Sequence, residues 1–204
     1  MFFNQTKIEM LFFNSLIAKT SSIRSLFCLF LSSHVILLLM MTYTFPRIND
    51  QIGTNAFDLQ TFGYSVFEAR SILTNLNDQT IDLYLFPQLT LLDLFYPVLI
   101  AFFLSSFLFR LFNLTKTKKN SILLMAPFFA MLFDYLENVC IIFMITNSAE
   151  TSESIIFLSS AFTISKGVLT SFAWIGILLY SFKWVRIKIL ERKSNQPLSK
   201  PKLY

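Results

Sequence analysis

Ser121 to Ile145 reads "SILLMAPFFAMLFDYLENVCIIFMI". At about 1.5 Å of rise per residue this run is long enough to cross a hydrocarbon core of roughly 30 Å. Yet it carries Asp134, Glu137 and Asn138 in its second half. An unpaired charge at mid-bilayer costs about 2.5 to 3.5 kcal/mol even on lenient insertion scales. Such a segment has to turn its acids towards other helices, so the expected fold is a multi-span bundle.

The rest of the chain supplies the other helices. Of 204 residues, 54% are hydrophobic, 17% aromatic and only 14% charged, and the charges gather in short stretches between long apolar runs. This is the segmentation of an integral membrane protein. Spans are expected at about 24–44, 90–112, 121–146 and 155–187. Residues 1–22 read as a cytoplasmic or interfacial amphipathic segment, and 188–204 as a basic cytoplasmic tail. The first span is followed by no small-residue cleavage site and reads as an uncleaved anchor. Pro97 lies in the second turn of its span; Pro127 is expected to kink the third and to leave a carbonyl for a neighbouring side chain.

Lys and Arg number three before span one, four from Arg110 to Lys119 and seven from Lys183 onward, against two in the 43–89 segment and none in 147–154. The positive-inside rule then places both termini in the cytoplasm. The fold class is therefore all-α: four transmembrane helices with an outer helical segment, about 57–80, between the first two. The sequons at Asn4 and Asn113 fall on the cytoplasmic side. A plasma membrane, the bacterial inner membrane, is the expected location, with the chain multi-pass and in contact with membrane lipid.

Within the outer segment, Ser65 followed by Glu68 is a capping-box pattern. Val66, Ala69, Ile72, Leu73 and Leu76 then form one apolar face, which either packs on the bundle or caps a cavity. Thr90 and Asp93 read as a helix N-terminus with its cap and favourable carboxylate. Tyr84 and Tyr96 read as interfacial aromatics. Cys28 and Cys140 lack metal or disulfide spacing and read as small buried apolar residues.

Asp134, Glu137 and Asn138 stand at i, i+3, i+4 and share a helix face, as do Ser159, Thr163, Lys166 and Thr170 on the fourth span. From Ser121, Asp134 lies about 20 Å and Glu137 about 24 Å along the third span. Lys166 lies roughly 21 Å from the same end of the antiparallel fourth. Lys166 is thus expected between the two acids in depth. The proposed polar cluster is Asp134, Glu137, Asn138, Lys166 and Thr163, with His34 joining from the first span. With both acids ionised against one lysine it would carry −1, a balance that a proton or a hydrogen-bonding ligand group can adjust.

Other chemistry finds no pattern here. One histidine and two acids make no metal site, no cofactor motif is present, and phosphate loops and nucleophile elbows are absent from the sequence. The formal charge of +5 follows the span ends and forms no stripe of the kind nucleic acid requires. The expected function is binding of a small lipophilic molecule in an intramembrane polar pocket. The alternatives are a lipid-modifying enzyme with Asp134 and Glu137 as proton shuttle, a structural subunit whose cluster clamps helices, and a proton-coupled carrier, which with four spans would need a homo-dimer.

The stretches "FDLQTFGYS" (57–65), "LLDLFYP" (91–97) and "FDYLEN" (133–138), with Ser165 and Lys166, resemble a family of small uncharacterised bacterial four-helix membrane proteins. The resemblance covers about residues 45–185 and implies four helices, with no activity attached. In architecture alone the chain is similar to the sterol-isomerase and sigma-2 receptor group, from which no residues map.

Overall fold

The computed structural model describes residues 13–194, and those residues are helical with no strand among them. The expected tail beyond residue 194 and the first twelve residues lie outside the described part. A short helix α1 (13–20) leads into α2 (Ile23–Leu39), which passes through a π-helical turn (Met40–Thr44) into α3 (Phe45–Ile52). A 3₁₀ turn (Phe57–Leu59), α4 (Val66–Asn75) and α5 (Asp78–Leu83) form a cap. A wide-turn segment (Tyr84–Leu92) then feeds α6 (Asp93–Leu114), followed by α7 (Ser121–Thr146) and α8 (Glu153–Ser194). Four helical stretches, Ile23–Ile52, Asp78–Leu114, Ser121–Thr146 and Glu153–Ser194, are long and apolar enough to cross a membrane.

Three of these run past the lengths expected from hydropathy, each for a local reason. Beyond residue 44 the chain is polar overall, but Phe45, Ile48 and Ile52 fall on one face and are buried, so tertiary packing holds α3 in helix. Pro46 sits in its first turn, where its missing N–H is not needed. Before residue 90, α5 starts at an Asn77 cap whose side chain accepts from the Thr80 N–H; the path to α6 is broken only at Phe86, whose φ of −142° and ψ of 126° are extended. The two irregular segments meet: Thr44 Oγ1 donates to Gln88 Oε1 at 2.5 Å, and both residues are fully buried. The last helix continues to Ser194 and so absorbs the start of the basic tail.

The helices α6, α7 and α8 pack together, and α2 lies against α6. Pro127 lies within a continuous α7. It cannot bond the Leu123 carbonyl, and in that turn Ser105 of α6 donates to the Leu124 carbonyl at 2.5 Å. Gly176 lets α8 approach closely, since a Cβ there would meet Leu123 Cδ2 at 2.8 Å. At the basic end α6 closes in a Schellman arrangement, with Thr117 N–H bonding the Phe112 carbonyl at 3.0 Å and Lys116 left-handed at φ 50°. Cys28 is exposed and Cys140 half-buried, which corrects the expectation that both are buried; α2 turns Leu26 and Ser33 inward, seven residues apart, and Cys28 is off that line.

Burial divides into two apolar clusters. One, towards the cap, joins Met40, Ile48, Phe57, Ile72, Ile141 and Ile156; the other, towards the basic end, joins Leu26, Phe103, Leu108, Leu124, Ala173 and Ile177. Along α7 and α8 the polar residues Asp134 to Asn138 and Thr163 to Lys166 occupy the sequence between the two clusters.

The cap is tied down through its own backbone. The Tyr64 N–H donates to Ser160 Oγ at 2.8 Å, and Gly63, at φ +80°, lies so close to α8 that a Cβ would meet Ser160 Oγ at 2.5 Å and Ile164 Cδ1 at 2.9 Å. Ser65 caps α4 as the pattern predicts: its N–H and hydroxyl both donate to Glu68 Oε2 at 2.7 Å, and its Oγ accepts from the Glu68 N–H. Ala69, Ile72 and Leu73 are buried and Val66 and Leu76 pack beside them.

Two outcomes follow from the cap. Gly63→Ala combines a left-handed φ with a steric clash and is expected to destabilise the protein by roughly 2 kcal/mol, read by thermal unfolding. The Ser65 hydrogen bonds hold the Glu68 carboxyl below its ordinary range. Its folded value lies below its unfolded one, so the stabilisation is complete at neutral pH and is lost as pH falls through the folded value. In Ser65→Ala the hydroxyl donor is lost while the residue-65 N–H remains, so an NMR titration of Glu68 is expected to move only part of the way back towards its ordinary range.

Candidate functional site

The polar cluster is centred on Lys166. Its Nζ lies 2.6 Å from Asp134 Oδ1 and 2.5 Å from Glu137 Oε2, so one ammonium bridges two carboxylates a helical turn apart. Glu137 is fully buried and its other oxygen accepts from Thr163 Oγ1 at 2.6 Å. The depth arithmetic that put Lys166 between the acids corresponds to this geometry. It works because α7 and α8 are antiparallel neighbours joined by a short turn, which leaves little freedom of register.

Ser159, Thr163 and Thr170 share the α8 face with Lys166; Thr163 joins it on Glu137, while Ser159 and Thr170 lie outside that contact. Ser159 Oγ accepts from the Tyr64 hydroxyl at 2.6 Å, tying the cap to the turn above Thr163. Burial pushes the Tyr64 phenol above its ordinary value, so it stays a neutral donor. Thr170 lines a small cavity on the other side of Lys166. Asn138 is buried on α7 and its amide faces the Asp93 carboxyl.

His34 lies apart from this cluster. Its Nδ1 is 2.8 Å from the Phe30 carbonyl, its ring lies against Phe30, and it borders an apolar surface groove with Leu31, Val35 and Leu38. The reason is angular: Ser33 is the fully buried residue of that turn, and His34 is about 100° further round the helix. Moreover α2 packs on α6, which keeps it at a distance from the α7–α8 seam.

Asp93, Tyr84 and Tyr96, read otherwise in the sequence, belong to this polar layer or its rim. Thr90 does not cap α6; its hydroxyl donates back to the Leu85 carbonyl. Asp93 begins α6 but is only 4% exposed and interacts electrostatically with Asp134, Asp58 and Lys166. The wide-turn segment before it, with Tyr84, Gln88 and Leu89 buried and Phe86 and Leu91 exposed, carries the chain from the cap into the bundle. Tyr84 is fully buried, with its hydroxyl donating to Asp58 Oδ2 at 2.5 Å, and is no interfacial aromatic. Tyr96, half-buried, forms part of the cavity wall with Asp134. An acid embedded three residues before a tyrosine in an apolar run was the available signal for Asp93, but a helix-start position accounts for the same pattern.

Residues from 57–65, 91–97, 133–138 and 165–166 thus converge on one level of the bundle. The cavity there has a volume of about 60 Å³, with Asp134, Lys166, Tyr96 and Thr170 as polar lining and Ile100, Leu104, Pro127 and Met131 among the apolar lining. Among the described residues, no group of three or more His, Cys, Asp or Glu is placed to hold a metal ion. No protein-family model, curated protein or solved structure matches this chain.

Because both acids depend on one lysine, Lys166→Met is expected to cost about 3 to 5 kcal/mol by leaving two buried charges unpaired. The triple variant Lys166→Met, Asp134→Asn, Glu137→Gln is expected to recover most of that loss. Thermal unfolding of the purified variants measures both.

Proposed function

We propose that the chain is a four-span integral membrane protein of a plasma membrane, with both termini cytoplasmic. The four apolar helices support this, as does the surface they present: Phe27, Leu38, Val139, Val168, Leu179 and Phe182 are all large, apolar and exposed. Extensive exposed apolar surface marks contact with lipid or another protein. The basic residues at 110–119 and 183–193 stand at the end opposite the cap, which fits the cytoplasmic side.

Within that frame, the Asp134–Glu137–Lys166 layer receives the head group of a small lipophilic molecule. The observation that carries this reading is the cavity beside Asp134 and Lys166, polar along one side and apolar elsewhere. Whole drug-sized ligands occupy pockets of roughly 300 to 1,000 Å³. A volume of about 60 Å³ accommodates a hydroxyl, carbonyl or amine with its first carbons, since a single water claims roughly 30 Å³ in the liquid. The rest of such a molecule would lie along the exposed apolar faces of the helices.

One observation favours a structural reading: Lys166 is already shared by two carboxylates at hydrogen-bonding distance, the arrangement a helix clamp would need. The two readings separate on lipid dependence. Extracted native lipids are expected to raise the unfolding midpoint of the detergent-purified wild type by about 3 °C or more, and to leave Asp134→Asn unmoved. A wild type indifferent to lipid, with the triple variant as stable as the parent, would establish the clamp instead.

A further inference from the structure

Next to the Lys166 pair the structure holds polar atoms that this pair does not satisfy. Among the described residues, Asp134 Oδ2, Asp93 Oδ2, Asn138 Oδ1 and Asp58 Oδ1 are buried with no hydrogen-bond partner. Every one of them is an acceptor. Asp93, Asp134 and Asn138 are each nine-tenths or more buried, and they come from two different helices. A buried acceptor without a donor costs about 1 to 3 kcal/mol, more for a charged one, so several together define what is missing. The missing partner donates hydrogen bonds.

Charge points the same way. Asp58, Asp93, Asp134 and Glu137 surround a single cation, Lys166, and their mutual influence reaches across the layer. With all four ionised the layer would carry a net −3 with the one ammonium found there among the described residues, a charge that a bound cation or protons on the carboxyls reduce. Lys166 is committed to Asp134 and Glu137 by its two contacts, which leaves Asp93 with the Asn138 amide as its polar neighbour. A metal ion would need convergent oxygens, and no three acidic, His or Cys side chains among the described residues offer that. A nitrogen cation needs only separate acceptors at hydrogen-bond distance. Tyr96 adds an aromatic ring beside the same level of the bundle, a surface that attracts cations.

We infer that Asp93, Asn138 and the free oxygen of Asp134 form a second seat in the polar layer, one that binds a protonated amine. This goes beyond the head-group reading, which concerns the Lys166 cavity and is indifferent to the charge of the head. The amine has two available sources. A small water-borne amine would come from the cap end, where Asp58 is half-buried; the ammonium head of an amphiphile would come from the bilayer, past Tyr96.

The test is the unfolding midpoint of the full chain in nanodiscs at pH 7, titrated separately with methylammonium chloride, dodecylamine, dodecanol and sodium chloride at matched ionic strength. A saturable rise with an amine, and none with sodium, is expected. In Asp93→Asn, and independently in Asn138→Ala, the half-saturating amine concentration is expected to increase at least tenfold. A response to methylammonium identifies the water-borne source, and a response to dodecylamine alone the membrane source. Equal stabilisation by sodium, no response to either amine, or unchanged amine affinity in both variants would overturn the inference. A saturable dodecanol effect that Asp134→Asn abolishes, with no amine effect, would reject the amine seat and leave the head-group reading standing.

Discussion

One half-buried ammonium held between two carboxylates sets the arrangement of this protein. Moving ions out of water costs several kcal/mol each, and only close, complementary contact recovers it. Lys166 achieves that contact with Asp134 and Glu137 together, which requires α7 and α8 to lie in one longitudinal register. A slip of one helical turn, about 5.4 Å, would separate the lysine from at least one acid. The ion pair therefore does for α7 and α8 what apolar packing alone, tolerant of sliding, does not do.

The cap and the other helices are arranged around that layer. Apolar clusters lie on either side of it, and the cap closes over it through the Tyr64 contacts to Ser159 and Ser160. The Tyr64 and Thr163 hydroxyls both engage α8 at Ser159, through its side chain and its carbonyl respectively. From there Thr163 reaches Glu137. The cap is thereby connected through hydrogen bonds to the turn of α8 next to the ion pair.

Irregular helix is concentrated in two segments that meet at the cap end. The wide turns at Met40–Thr44 and Tyr84–Leu92 are joined by Thr44 and Gln88, and the second delivers Asp93 to the interior. Such turns leave main-chain groups out of the regular ladder and recur at functional positions in helices. Here their effect is positional, since a straight helix through residues 84–96 would carry Asp93 on a different face.

The sequence by itself determined the class of fold, the four long apolar helices, the Ser65 cap and the meeting of Lys166 with Asp134 and Glu137. Those features depend on local periodicity, or on a short α7–α8 turn that makes depth a matter of counting residues. His34, Asp93, Tyr84 and Cys28 were decided by the tertiary structure. Each depends on which face a helix turns inward, and for α2 and α6 that rotation is set by packing against non-neighbouring elements and by two irregular turns. Periodicity states that a residue shares a face with its neighbours along the helix; only the packed bundle fixes where that face points.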